Sequence, residues 1–215
     1  MASLPKGKRA DLPDTREELL RVATRIFAEQ GFKATTIRQI CTAANVNVAS
    51  VNYHFSSKAE LYRTVQQNLF NDFGRPLLVI ADGVNDEESW RNAMRRWVEM
   101  VLSLTTSDTP PALHAVRMIA MEMVHRSEVS EEADAILAAV RNVLKRLLSM
   151  ALGDNKHQVD LWANSIITQS LIYIFCPPEW VTRLGPEMPR ARWIGEIGEH
   201  ILDSVFAKLN YQKQP

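Results

Sequence analysis

Few residues in this 215-residue chain are spaced for bond-making chemistry. The sharpest candidate is Glu122-Met-Val-His125, a carboxylate and an imidazole at i, i+3 that would share one helical face and could ligate a metal. A di-iron bundle needs a second such pair and two further glutamates; no second Glu-x-x-His exists, and Glu196, Glu199 and His200 have the wrong spacing. A metal-binding helical-bundle enzyme using Glu122 and His125 therefore stands only as an alternative, against the plainer reading of a local ion pair. There is no Gly-x-Ser-x-Gly elbow and no Gly-rich phosphate loop. Cys41 and Cys176 have no CxxC spacing and no histidine cluster, so neither a disulfide framework nor a zinc site follows. The expectation is a chain with no catalytic residue, no metal and no cofactor.

A different chemistry is legible in "NVNVASVNYHF", residues 45–55, which is small, polar and uncharged. Asn45 stands where a tight turn needs positive φ, a conformation that Asn tolerates best after glycine. Val46 would plug the angle of that turn, and Asn47 would cap a short helix over 47–54. Val51 and Phe55, four apart, share the inward face. Val48, Ala49, Ser50, Asn52, Tyr53 and His54 are left pointing outward. The major groove of DNA is about 12 Å wide, and small residues at the leading end of a helix let it enter. Val48 and Ala49 can touch thymine methyls, Asn52 can pair with an adenine edge, and Ser50 can reach a base or a phosphate. Tyr53, His54 and Lys58 suit phosphate oxygens.

The elements that must hold this rod are helical throughout. A first helix starts at Asp14, which has capping-box spacing to Glu17, and closes at Gly31. Thr36 and Gln39 form a second capping box, opening a helix with Ile37, Ile40, Cys41 and Ala44 inward. Ser57 and Glu60 form a third, launching a long helix striped by Leu61, Val65, Leu69 and Phe73, with Gly74-Arg75-Pro76 set to bend or end it. Two helices joined by a tight turn, the second one polar, make a helix-turn-helix over 36–55. Beyond it the periodicity predicts helices at 86–104, 112–126, 130–152, 157–176 and 190–209, with a short turn near Trp180–Leu184. The fold class is all-α, with about nine helices: a three-helix head and a helical bundle body. Residues 1–65 carry ten Lys/Arg against six Asp/Glu, and the rest carry fifteen against nineteen; a basic head on an acidic body fits a polyanion partner.

The string "TTIRQICTAANVNVASVNYHFSSKAELY", preceded by "REELLRVATRIFAEQGF", resembles the DNA-binding head of the TetR family of bacterial repressors, from about Leu12 to Phe73 without a gap. Pro5, Gly7 and Pro13 make the first dozen residues, 1–12, read as a flexible tail. The resemblance implies a helix-turn-helix domain over 13–73, and a ligand-binding and dimerisation domain over 74–215. It implies phosphate contact at Thr36, base or phosphate contact at Arg38, groove-facing Val48, Ala49 and Ser50, and backbone contacts at Tyr53, His54 and Lys58. Guanine is the natural base target for the Arg38 fork. Asn45 replaces the common glycine. Asn52 stands where an aromatic is common, so it either reads a base or forgoes a phosphate contact.

One short helix reads too few base pairs, so two copies on a two-fold axis are expected, bound to double-stranded DNA as a homodimer. The interface is expected on the last two helices, where the resemblance also places it, at Trp162, Ser165, Ile166, Gln169 and Tyr173 with Ile194, Ile197, Gly198, Ile201 and Val205. The competing reading makes both stripes ordinary core. Trp97, Met118, Met121, His125 and Tyr173 could line an adaptable pocket for a small apolar or amphipathic inducer, or could be core. The whole reads as a ligand-responsive cytoplasmic repressor, with a DNA-binding dimer that lacks a ligand as the alternative. A membrane span is not expected, since no unbroken apolar run, Leu171–Cys176 included, exceeds six residues.

Overall fold

The computed structural model describes residues 15–106, 109–124, 130–175 and 190–210. Among these there is helix and no strand: α1 Thr15–Ala34, α2 Ile37–Ala44, α3 Val48–Phe55, α4 Lys58–Leu69, α5 Arg75–Leu78, α6 Glu87–Thr106, α7 Pro110–Val124, α8 Ser130–Leu152, α9 Lys156–Phe175 and α10 Arg190–Lys208. The helices expected from periodicity are present with ends shifted by a few residues. Asp14 and the turn near Trp180–Leu184 lie outside the described residues. The chain forms two compact units that divide between Val65 and Gln66, inside α4.

In the first unit the local signals act as their chemistry requires. Gly31 interrupts α1 at φ 75°, ψ 173°, a region open in practice only to glycine. Thr35 Oγ1 donates to Gly31 O at 2.8 Å across that corner. The Thr36 capping box forms in full: Gln39 N–H donates to Thr36 Oγ1 at 3.2 Å, and Thr36 N–H donates to Gln39 Oε1 at 2.8 Å. Phe27, Phe32 and Tyr62 meet ring to ring, with Phe27 and Tyr62 edge-on at 4.7 Å. Around them Leu19, Ile26, Ile40, Val51, Phe55 and Leu61 close the core. Cys41 is buried and unbonded, and burial pushes its thiol up from the ordinary range, so it serves as neutral packing.

In the second unit α6 is the central element. Trp90 is fully buried and its indole N–H donates to Leu147 O on α8 at 2.8 Å. Helix α10 lies along α6, and Gly198 permits that approach: a Cβ there would stand 3.3 Å from Leu102 Cδ1. This corrects the expected dimer stripe. Ile166, Gly198, Ile201 and Val205 are buried inside this unit's own core, and Trp162, Ile194 and Ile197 pack partly against it. The apolar face of α10 is taken up by α6 within the monomer. Asp86 caps α6, and hydrogen bonds from Ser89 hold its carboxyl below the usual range. A carboxylate depressed in this way stabilises the fold at neutral pH and loses that contribution as pH falls through its folded value.

The long helix does not end at Gly74-Arg75-Pro76. It passes through one π turn over Phe70–Gly74, with Arg75 N–H donating to Phe70 O, and continues as α5. Pro76 has no N–H and its ring would clash with the carbonyl four residues back, so a widened turn is the way to remain helical. Gly74 is required by contact, because a Cβ there would lie 2.3 Å from the Phe70 ring.

Gly31→Ala is expected to lower the stability of the first unit by about 1–3 kcal/mol, because the backbone there is strained for any side chain. Chemical denaturation followed by helical circular dichroism measures it.

Candidate functional site

Helix α3 is set against α2 by Asn45, which adopts φ 53°, ψ 43°. Asn45 N–H donates to Thr42 O at 3.2 Å and Val46 N–H donates to Cys41 O at 3.0 Å, closing α2 with two local bonds. Asn47 then caps α3, its Oδ1 accepting from Ala49 N–H at 3.0 Å. Of the eight residues of α3, only Val51 and Phe55 are buried. Ala49 and Asn52 are exposed, Val48 is 44% exposed and Tyr53 85%, while Ser50 and His54 are half-buried. An apolar valine and a tyrosine this open, on a rod fixed at both ends, form a surface shaped for contact rather than for packing. Thr36 and Arg38 are exposed at the start of α2. The structure thus brings Thr36, Arg38 and the α3 residues into one small unit with their side chains available.

Lys58 is engaged differently from the expectation of a free phosphate-binding amine. Its Nζ donates to Phe32 O at 2.9 Å and to Thr35 O at 3.0 Å, and lies 4.2 Å from the Phe32 ring centroid. It satisfies carbonyls at the end of α1 that have no helical partner. Two of its three protons are committed, leaving one for any outside acceptor. Its first role is to lock the α1–α2 corner, from which α2 and then α3 are launched. The sequence holds no sign of this, because the partners are backbone atoms more than twenty residues away.

The second unit contains a cavity of about 140 Å³. A single water needs roughly 10–15 Å³ on a comparable measure, so this space suits a multi-atom guest. Trp97 and Met118 are in its wall; Met121 is half-buried and not part of it. His125 and the Tyr173 side chain lie outside the described residues, and with His125 goes the Glu122–His125 metal pairing. Among the described residues no three His, Cys, Asp or Glu side chains gather as a metal site would need. Glu122 is buried in the cavity wall instead.

Sequence reasoning missed Gln66, Leu69, Phe70 and Phe73, which continue the α4 stripe into the wall. By periodicity alone that stripe is core along its whole length. Leu61 and Val65 are fully buried, but Leu69 and Phe73 are only half-buried, facing the cavity. Among the described residues, two buried polar atoms on the cavity lining have no hydrogen-bond partner: Gln66 Oε1 and Trp97 Nε1. Each such orphan costs about 1–3 kcal/mol in a folded protein.

Helix α9 carries apolar residues on two sides. Val159, Ala163 and Ile166 face the core, while Leu161 is 50% and Ile172 44% exposed, with Ser165, Thr168 and Gln169 open beside them. Ser165 and Gln169, expected at an interface, are on this outer face. Gly195 on α10 is exposed, and a Cβ added there would meet nothing within 4 Å. Among the described residues no helix is long and apolar enough to cross a membrane.

Residues 19–65 match the family model of bacterial regulatory proteins of the tetR family. The chain is similar to the HTH-type transcriptional repressor KstR2 of Rhodococcus jostii, at 37% identity over 71 residues, 33% of this chain and 35% of that protein. It therefore spans about a third of that relative's length. Its fold is similar to a TetR transcriptional regulator from Legionella pneumophila, with TM-score 0.64 and 22% identity over 91% of this chain and 99% of that one. It is also similar to AibR, solved with isovaleryl coenzyme A and operator DNA, with TM-score 0.64 and 17% identity over 89% and 97%.

Lys58→Met is expected to cost the first unit about 1.5–3 kcal/mol, the range for hydrogen bonds from a charged group. Tyr53→Phe is expected to leave stability unchanged. Paired denaturation curves separate the two residues' roles.

Proposed function

We propose that this chain, whose residues 19–65 match the family model of bacterial regulatory proteins of the tetR family, is a dimeric, DNA-binding transcriptional repressor released from its operator by a small molecule. The observation that carries this is the outer face of α3: a rod buried at two positions, held by an αL turn, and otherwise open. Val48, Ala49 and Ser50 enter the major groove, with Asn52 at a base edge. Arg38 reads guanine, and Thr36, Tyr53, His54 and the remaining Lys58 proton hold phosphates. AibR binds operator DNA and an acyl coenzyme A on the same architecture.

The dimer forms through the outer face of α9, where Leu161, Ser165, Thr168 and Ile172 make a stripe at helical spacing. A helix apolar on both sides is covered on both sides, and the monomer covers only one. Ser165 and Gly195 allow the partner's helices to come close. This replaces Ile201 and Val205, which are core. The pairing places two α3 rods one helical turn of DNA apart, about 34–36 Å.

The cavity in the second unit favours the ligand-released reading over a DNA-binding dimer that senses nothing. The inducer acts by binding more tightly to the conformer whose α3 rods are wrongly spaced, since only differential affinity shifts the population. Helix α4 is the element through which this is transmitted, because it begins at Lys58 and reaches the cavity at Gln66 and Leu69.

Selection from a random DNA pool is expected to return a two-fold symmetric site, and binding is expected to weaken steeply with salt as phosphate counterions are released. Arg38→Ala is expected to cost about 1–3 kcal/mol on that site and little on random DNA. Equal losses on both would make Arg38 a phosphate contact. Ile172→Glu is expected to give folded monomers that no longer bind the site, read by sedimentation together with gel shift. A persistent dimer would move the interface elsewhere.

A further inference from the structure

The cavity wall is almost wholly apolar, yet two of its residues hold unmet hydrogen bonds of opposite sense. Trp97 Nε1 is an indole N–H, which can only donate. Gln66 Oε1 is an amide oxygen, which accepts. Both residues are at least nine-tenths buried, on different helices, α6 and α4. Natural cores leave few polar groups in this state, and a pair of them bordering one cavity calls for an explanation. Trp90 shows the contrast: another buried indole of α6, its N–H satisfied by Leu147 O. The orphaned indole belongs to a residue of the cavity wall.

Charge narrows the guest further. The charged residues of the lining are Glu122, which is buried, and Arg141, which is exposed. A buried anion is tolerated only when paired, and no buried residue of the wall is a cation. Glu122 already has interactions of its own, so it does not wait for a cationic guest. What remains unmet is one donor and one acceptor in an apolar surround.

We propose that the second-unit cavity takes a neutral, predominantly apolar molecule carrying one compact polar group that both accepts and donates, an alcohol or a primary amide, with Trp97 donating to it and Gln66 accepting from it. That group relieves two orphaned atoms at once, and the apolar tail fills the space between Phe70, Phe73, Val101 and Ile119. This deepens the repressor reading by giving the inducer a chemical class, and it rests on that reading only for its consequence on DNA. Because Gln66 and Leu69 are on α4 while Trp97 is on α6, a guest holding both polar groups ties those two helices together.

The test uses the full chain without DNA, so its failure is distinct from failure of the operator reading. Five probes with one eight-carbon chain are compared by calorimetric titration: 1-octanol, octanamide, octanoate, octylammonium and 1-chlorooctane. The alcohol and the amide are expected to bind at least about tenfold more tightly than either charged probe, which must bury an ion without a partner. Trp97→Phe and Gln66→Leu are each expected to weaken octanamide about 3- to 10-fold, the size of one hydrogen bond, and to leave 1-chlorooctane unchanged. Thermal unfolding of both variants confirms that they are folded. Octanoate or octylammonium binding as tightly as the amide overturns the neutral class. Equal losses for octanamide and 1-chlorooctane overturn the hydrogen-bonding roles of Trp97 and Gln66. No measurable binding by any probe overturns the proposal as a whole, while leaving operator binding by α3 to its own tests.

Discussion

The left-handed turn at Asn45 is the constraint on which the working surface depends. Helix α3 is eight residues long, too short to be stable alone, and only Val51 and Phe55 anchor it in the head's core. With so few anchors its direction is set at the entry point, where Asn45 ends α2 in αL and Asn47 begins α3 with its own cap. A β-branched residue at 45 would lose that geometry. Every outward position on α3 inherits its aim from this one backbone conformation. The residues there can be small and polar because they are not asked to contribute to the core.

A second tier of constraint fixes the base from which α2 and α3 are launched. Gly31 breaks α1, Thr35 bonds back across the break, and Lys58 reaches from α4 to hold the Phe32 and Thr35 carbonyls that follow it. A cation is the right group here, because carbonyls at a helix C-terminus carry partial negative charge. The same helix that begins with Lys58 contributes Leu61 and Val65 to one compact unit and Gln66 and Leu69 to the other. Its apolar stripe is continuous in sequence and divided in use.

That division marks the limit of what the sequence makes legible. The Thr36–Gln39 capping box, the Asn45 turn, the inward pair Val51 and Phe55 and the extent of the body helices were legible, because each depends on residues within a few positions of one another. The π turn at Phe70–Gly74 is consistent with Pro76, but a kink, a break and a π turn begin from the same residues. Periodicity identified the apolar faces of α9 and α10 without saying what covers them. Ile201 and Val205 proved to meet α6 in the same chain, whereas Leu161 and Ile172 remain open. Lys58 was legible as a cation and not as a cap. An unfilled volume is a property of how whole helices meet, so the sequence left Trp97 and Met118 open between pocket and core.

The most direct test is to place a DNA-cleaving reagent on α3 through Ala49→Cys, since Cys41 is buried and its thiol neutral, with Cys176 first replaced by serine. On the selected operator, strand cleavage is expected to be confined to two major-groove positions about one helical turn, 34–36 Å, apart. Cleavage spread evenly along the duplex, or none while the protein stays bound, would contradict it: α3 would then not be the element that enters the groove.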